Sequence, residues 1–378
     1  MFIWVRKSLM RKVSLIFFLL ALLISGAAYY FWGMEKSFPL EYSLIALAAV
    51  FIVFMVIVYK SISLPLKKIT KQMKHILTGR SFKRIYSNRV DELGVIAQFF
   101  NEITENIESI SSKLREQQRM SSELEIASTI QKTILPSESP DIPGLEVVAK
   151  TRPAVEVGGD NFDFIQRGKN TYMYVGDVTG HGVPAGLIMM MVNTLLHTYS
   201  EMYDSAYDIV VNTNRQLKPR IKASMFMTMV MLKWDSESQK MTYVGAGHEY
   251  ILVYRVATGE IEAKKTGGIA LGMVPDNSNL VKEEELNLEE GDMVIVYTDG
   301  ITEAKNDEGE MFELDRLKDK IKKYAVQYGP AGVIHHTAMD FSSFAGEAEQ
   351  DDDITLMVIR YNVKNKTETK NNEKTTKW

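Results

Sequence analysis

Two uncharged runs constrain this chain more than anything else in it. Val13 to Trp32 reads VSLIFFLLALLISGAAYYFW, and Tyr42 to Tyr59 reads YSLIALAAVFIVFMVIVY. Each is close to the roughly twenty apolar residues that a helix needs to cross the hydrocarbon core of a bilayer. Arg6, Lys7, Arg11 and Lys12 precede the first run, and Lys60, Lys67, Lys68, Lys71 and Lys74 follow the second. The connection GMEKSFPLE carries one lysine against two glutamates. The positive-inside rule then puts both ends of the pair in the cytoplasm. Residues 1–60 are expected to form a hairpin in the cytoplasmic (inner) membrane, with spans at 13–32 and 42–59 and everything downstream cytoplasmic. The alternative for the first run is a cleaved signal peptide with small residues at SGAA. Cleavage would leave the second span delivering the rest of the chain to the same side. The connection is too short to fold, so no extracytoplasmic sensor domain is expected between the spans.

The 378 residues leave room for two or three domains, and 46% hydrophobic with 24% charged residues is ordinary for a folded protein. A formal net charge of -4 without a dominant basic stripe argues against a nucleic-acid partner. The absence of cysteine excludes disulfides, thiolate zinc sites and cysteine nucleophiles, so any metal is held by oxygen or imidazole.

After the second run, Ile62, Leu66, Ile69, Met73 and Ile76 recur in alternating steps of four and three. The break TGRSFKRIYSNRV follows, and the pattern resumes at Ile96, Phe100, Ile103, Ile107, Ile110 and Leu114. Two short heptad helices cannot bury their seams alone, which predicts a helical bundle, most simply a homodimer. With Pro65 near its start and DELG (Asp91 to Gly94) heading the second helix, residues 61–112 resemble a HAMP signalling domain; a passive coiled-coil stalk is the alternative. The apolar register lapses at REQQR and returns at Leu124, Ile126, Ile130, Ile134 and Leu135, so 113–136 reads as a linker or regulatory helix. The prolines of PSESPDIPG end it. At the other end of the chain, 364–378 lacks apolar periodicity and reads as a disordered tail.

Between them, 145–363 reads as a mixed domain. LEVVAK, TYMYVGDV, MFMTMVMLKW, MTYVGAG, ILVYRV and MVIVYTDG have strand character, the methionines of MFMTMVML serving as soft core filler. Helices are expected around Pro184–Tyr199, Tyr207–Leu217, Leu314–Tyr324 and Ala331–Phe344. Consecutive strands with tight turns predict antiparallel sheets, hence an α/β (α+β) sandwich with helices outside.

Four acidic positions share one context. Asp160 follows two glycines, Asp177 ends YMYVGD, Asp299 follows MVIVYT, and Asp351, Asp352 and Asp353 open DDDITLMVIR. An acid at a strand mouth can face a cleft, and neighbouring glycines let backbone approach a small ion. Carboxylates without cysteine suit hard cations such as Mg2+ or Mn2+. Singly, each is an ordinary turn aspartate; the constellation carries the reading.

In order, AVEVGGDNFDF, GDVTGHGVPAGLIMMM, GAGHEY, GGIALG, YTDGITEA and DDDITL resemble the metal-dependent serine/threonine phosphatases of the PPM family, closest to its bacterial sporulation stage II E-type branch. The resemblance extends over Leu145–Tyr361, and ELEIASTIQKTILP fits that branch too. It implies two antiparallel sheets sandwiched between helices, with two Mn2+ or Mg2+ ions between the sheets. Carried over, Asp177 corresponds to the carboxylate bridging both metals, and Val178 to a backbone carbonyl ligand. Asp299 and Asp352 correspond to ligands of the second metal, and Asp160 to an acid holding a metal directly or through water. Asp353 is the alternative to Asp352. His181 is a candidate proton donor to the leaving alkoxide, with a plain turn role as the alternative, and His248 reads as structural. No clear counterpart of a phosphate-binding arginine is present, Arg152 being merely nearby. The implied substrate is a phosphorylated regulatory protein, an anti-sigma-factor antagonist by family analogy.

Two rivals are weaker. A diguanylate cyclase would share VGGDNF, but it needs a long α/β segment before its Gly-Gly turn, where this chain has heptads. A catalytically silent signalling scaffold would be marked by loss of a metal-binding acid, and all four are present.

Overall fold

The structure is a computed structural model that describes residues 8–33, 40–78 and 83–362. Arg6 and Lys7, the loop 34–39 of the expected hairpin, part of the expected break (79–82) and the tail from 363 lie outside the described residues. The chain divides into two compact units, 1–119 and 120–378.

In the first unit, α1 (Leu9–Gly33) and α2 (Leu40–Val58) cover the two apolar runs. Both are long and apolar enough to cross a membrane. A five-residue π turn, Tyr59–Ser63, joins α2 to α3 (Leu64–Leu77). Pro65 explains it: proline lacks an N–H and its ring crowds the carbonyl four residues earlier, that of Ser61, so the helix widens there instead of breaking. α4 (Glu92–Ile134) is one continuous helix. The lapse at REQQR does not interrupt it, because Arg, Glu and Gln are all good helix formers. At its head Asp91 accepts the Gly94 N–H at 3.3 Å and the Arg89 guanidinium at 2.9 Å, and pairs with Lys12.

The second unit is built on two five-stranded antiparallel sheets. One has the order β1 (Leu145–Arg152), β10 (Ile354–Tyr361), β9 (Met293–Tyr297), β6 (Tyr250–Arg255), β7 (Glu260–Lys265). The other runs β2 (Asn161–Arg167), β3 (Asn170–Val178), β4 (Met227–Asp235), β5 (Lys240–Ala246), β8 (Glu283–Leu286). Successive residues of a strand face opposite ways, and here both faces are buried. On β3, Met173 and Val175 join the core between the sheets, whereas Tyr172 and Tyr174 pack under α5 (Val183–Ser200) and α6 (Ala206–Leu217). On β9, Val294 and Val296 face the other sheet, whereas Ile295 and Tyr297 pack under α8 (Glu313–Ala325) and α9 (Pro330–Ala345). The result is four layers, helix–sheet–sheet–helix, as expected. The four expected helices fall within a residue of their observed ends.

β2, β7 and β8 were not among the expected strands. EIEAKK and EEEL form sheet edges, where charged side chains face water and guard unpaired backbone. Their composition hides them from an apolar-pattern reading.

Trp234 fixes the seam between the sheets. It is 1% exposed, donates Nε1–H to the Pro143 carbonyl at 2.9 Å and meets Tyr361 edge-on at 5.4 Å. Trp234→Ala should cost about 3–5 kcal/mol, read as a lowered denaturation midpoint of the intact chain with the transition slope unchanged.

Candidate metal centre

The topology delivers the four acids in pairs, two from each sheet. Asp160 immediately precedes β2, and Asp177 is the penultimate residue of β3, the strand beside it. Asp299 opens the short helix α7 (Asp299–Thr302) just beyond β9, and Asp352 precedes β10, the strand beside that one.

Hydrogen bonds tie the pairs across the sandwich. Asp160 is 4% exposed, and its Oδ2 accepts from the Thr298 hydroxyl at 2.8 Å and the Thr355 hydroxyl at 2.6 Å. Thr298 also accepts the Thr355 N–H at 2.9 Å, so the two threonines form one unit on the opposite sheet. Oδ1 of Asp160 is buried and has no hydrogen-bond partner.

Asp353 does something different from Asp352. Its Oδ1 accepts the Ala154 N–H at 2.7 Å, and its Oδ2 accepts the N–H groups of Gly159 at 2.5 Å and Asp160 at 3.3 Å. Both oxygens are therefore committed to holding the loop that carries Asp160. Asp352 is exposed, with Oδ1 accepting the Asp353 N–H at 2.8 Å. The glycines before Asp160 are set by close approach. A Cβ on Gly158 would stand 2.5 Å from Asp353 Oδ2, and one on Gly159 would stand 2.9 Å from the Val178 carbonyl oxygen. That second distance brings Val178, named from sequence, beside the loop.

The electrostatics follow from crowding. Burial, then the charge of Asp177, pushes the Asp160 carboxyl well above the usual carboxylate range. Asp177 is pushed up to about 8 by burial and then by Asp299, Asp352 and Asp353. Asp299 rises to about 6 through burial, Asp352, Glu303 and Glu249. Asp352 rises too, chiefly through burial, with His181 opposing the shift. Among the described residues, no lysine or arginine is among the largest causes of these shifts. Such a cluster holds excess protons until a cation replaces them.

The fit to hard divalent cations is therefore one of chemistry: carboxylate oxygen donors, charges that chiefly repel one another and a buried carboxylate oxygen without a hydrogen-bond partner. Among the described residues, no three His, Asp or Glu side chains are already drawn together as a ready ligand set. Glu249 and Glu303 were not singled out from the sequence. Glu303 lies four residues after Asp299 in YTDGITEA, a spacing that places it one helical turn on, and that signal was legible. Glu249 is brought in only by the fold, where it accepts the Tyr297 hydroxyl at 3.1 Å.

The histidines separate. His181 is exposed in the turn before α5, close enough to Asp352 to act on it. His248 is 6% exposed and donates Nε2–H to the Tyr297 carbonyl at 2.9 Å. Arg152 is exposed at the end of β1 and lines a cavity of about 350 Å3 with Gly300, Glu303, Lys305 and Asp352.

Burial lowers the His248 pKa to about 4 from an ordinary 6.5. The unfolded chain therefore takes up this proton first. Stability from keeping His248 neutral is complete above about pH 6.5 and is lost as pH falls toward 4, by roughly 3 kcal/mol in all. Denaturant titrations of the wild type and His248→Gln between pH 4 and 7 should show a smaller acid loss in the variant, whose amide donates without titrating.

Residues 167–362 match the family model of stage II sporulation protein E (SpoIIE). The chain is 29% identical over 249 residues to the phosphoserine phosphatase RsbU of Bacillus subtilis, covering 65% of this chain and 72% of that protein. Its fold is similar to the SiaA-PP2C domain of Pseudomonas aeruginosa, with TM-score 0.56, 24% identity, and coverage of 66% of this chain and 98% of that one. A second similar structure holds the RsbU and RsbW domains of Rv1364c from Mycobacterium tuberculosis, with TM-score 0.50, 26% identity, and coverage of 60% and 62%. The family match takes in more than half of the sequence and every strand from β3 onward, so the chain belongs to the SpoIIE family and its sandwich is a protein phosphatase domain of the PP2C fold.

Proposed function

We propose that this protein is a membrane-anchored, signal-regulated phosphatase that hydrolyses phosphoserine or phosphothreonine on a regulatory protein at a binuclear metal centre. The observation that carries the reading is the mutual charge coupling of Asp160, Asp177, Asp299 and Asp352, contributed by two sheets, with Asp160 Oδ1 buried and without a hydrogen-bond partner. Asp177 would bridge two ions, Val178 would add its carbonyl, Asp299 and Asp352 would serve the second ion, and Asp160 would hold the first directly or through water. Asp352 is preferred over Asp353 because both oxygens of Asp353 are engaged by backbone N–H groups. When bound, two Mn2+ or Mg2+ ions supply an activated water for in-line attack on phosphorus and offset charge on the phosphoryl oxygens. His181, exposed and coupled by charge to Asp352, would serve as proton donor to the departing serine or threonine oxygen.

The substrate class rests on similarity. The Bacillus relative is named a phosphoserine phosphatase, and family analogy points to an anti-sigma-factor antagonist. Membrane anchoring rests on α1 and α2 and on the lysines that follow them. The HAMP assignment of 61–112 and a homodimer rest on the heptad pattern. Ile103, Ile107, Ile110 and Leu114 are 40–58% exposed along α4, an apolar seam that a second copy would cover. A change in that packing would act on the phosphatase domain through Glu123–Leu135, completing the metal site.

The test uses the full-length chain in membranes with Mn2+ and a phosphoserine protein. Phosphate release should require the metal and fall at least about a hundredfold in Asp177→Asn. Release that survives either chelation or the substitution would remove the binuclear centre from the mechanism. No release from the wild type would favour a silent scaffold.

A further inference from the structure

The end of α4 docks on the phosphatase domain through an unusual face. Leu124, Ala127, Ser128, Gln131, Ile134 and Leu135 recur at helical spacing and are the covered positions, whereas Ile126 and Ile130 are 58% and 50% exposed. The two most deeply covered are polar, Ser128 at 9% and Gln131 at 5% exposure. A helix packed permanently on a domain normally buries an apolar stripe. This one commits little apolar area, and therefore little hydrophobic free energy, to staying in place.

Gln131 makes the specific contact. Its Nε2 donates to the Gly158 carbonyl at 2.7 Å, and its Oε1 accepts the Gly158 N–H at 3.1 Å. The side-chain amide thus gives Gly158 both bonds that a neighbouring strand would otherwise make. The next two N–H groups, of Gly159 and Asp160, are held by Asp353. Three successive residues leading into Asp160 are fixed, two from within the sandwich and one from α4. Beside this contact, a cavity of about 140 Å3 is lined by Ser128, Gln131, Leu135, Gly158, Asp160 and Asp353. Helix and loop therefore meet over a partly open space instead of a filled core.

We infer that Gln131 is a positioning residue, through which the setting of α4 fixes the loop that carries Asp160. The inference deepens the regulatory reading above and rests on it. The paired amide bonds demand one placement of the helix. A slide by one residue moves the side chain 1.5 Å along the axis and about 100° around it. That breaks both bonds and presents Ile130 or Lys132, neither of which can pair with a backbone amide on both sides. Gly158 would then have a donor and an acceptor without protein partners, and between the Val157 carbonyl, held by the Gly182 N–H, and Asp160 the backbone would be tethered only by Asp353. Helix position becomes loop order, and loop order sets how well Asp160 serves a cation.

The test uses the full-length chain with Mn2+ and the phosphoserine protein above. In Gln131→Ala, the Mn2+ concentration giving half-maximal phosphate release should rise about tenfold or more, the scale set by losing a paired buried contact. Rate at saturating Mn2+ should fall much less. Direct Mn2+ binding, followed by the electron paramagnetic resonance of free Mn2+, should weaken by the same factor. Gln131→Glu, which keeps the acceptor and loses the donor, should be intermediate. A lowered unfolding temperature with unchanged Mn2+ binding would mean that Gln131 is merely structural. Should neither variant fold, amide hydrogen exchange on the wild type decides: Mn2+ should slow exchange at Gly158 and Gly159 and in the last turn of α4 together. Slowing at the loop alone overturns the inference. Absence of Mn2+-dependent release from the wild type would fail the phosphatase reading itself. Normal release with unaltered Mn2+ dependence in Gln131→Ala would fail only the role of Gln131.

Discussion

Like charges held together at the junction of two sheets are the constraint on which the rest of the phosphatase domain turns. Four carboxyls that repel one another could not persist on mobile loops. They persist because each is tied to a strand end or to a residue beside one, and because burial makes rearrangement expensive. The sandwich supplies rigidity through a core that fills the space between the sheets, from Met173 and Val175 on one side to Val294 and Val296 on the other. Thr298 and Thr355 then convert two separate sheets into one frame around Asp160. Fold and site are coupled at those hydroxyls.

Two adjacent acids illustrate how environment divides labour. Asp352 and Asp353 are chemically identical neighbours, yet Asp353 accepts three backbone N–H groups and organises the Gly158–Asp160 loop. Asp352 stays exposed, coupled by charge to Asp299 and His181. The Gly158–Asp160 loop is thin by necessity, since side chains on Gly158 and Gly159 would collide with the carboxylate of Asp353 and the carbonyl of Val178. A loop this closely hemmed transmits small displacements to whatever it carries. That gives the Gln131 contact at its upstream edge its consequence.

Much of this was legible in the residues. Apolar run length gave α1 and α2, because a helix of that composition has few other environments. Strands buried on both faces announced themselves as continuous apolar runs. The acids were found because they interrupt such runs at their ends. Less was legible where chemistry and pattern part. The apolar register lapses at REQQR while the helix runs on, since register and propensity are different signals. The edge strands β7 and β8 are too polar to show, and the π turn follows from one missing proline N–H.

Sequence by itself therefore determined the classes of element, the absence of thiolate from any metal site and which aspartates stand at strand mouths. These are local properties: periodicity, the absence of cysteine, and the company each acid keeps within a few residues. Tertiary structure alone decided which acids meet, that Asp353 is a backbone anchor, that Glu249 joins the negative cluster, and that Gln131 reaches Gly158 from 27 positions away. Each of those depends on contacts between residues distant in the chain, and a buried carboxylate or amide reveals its role only when the partners that satisfy it are brought beside it.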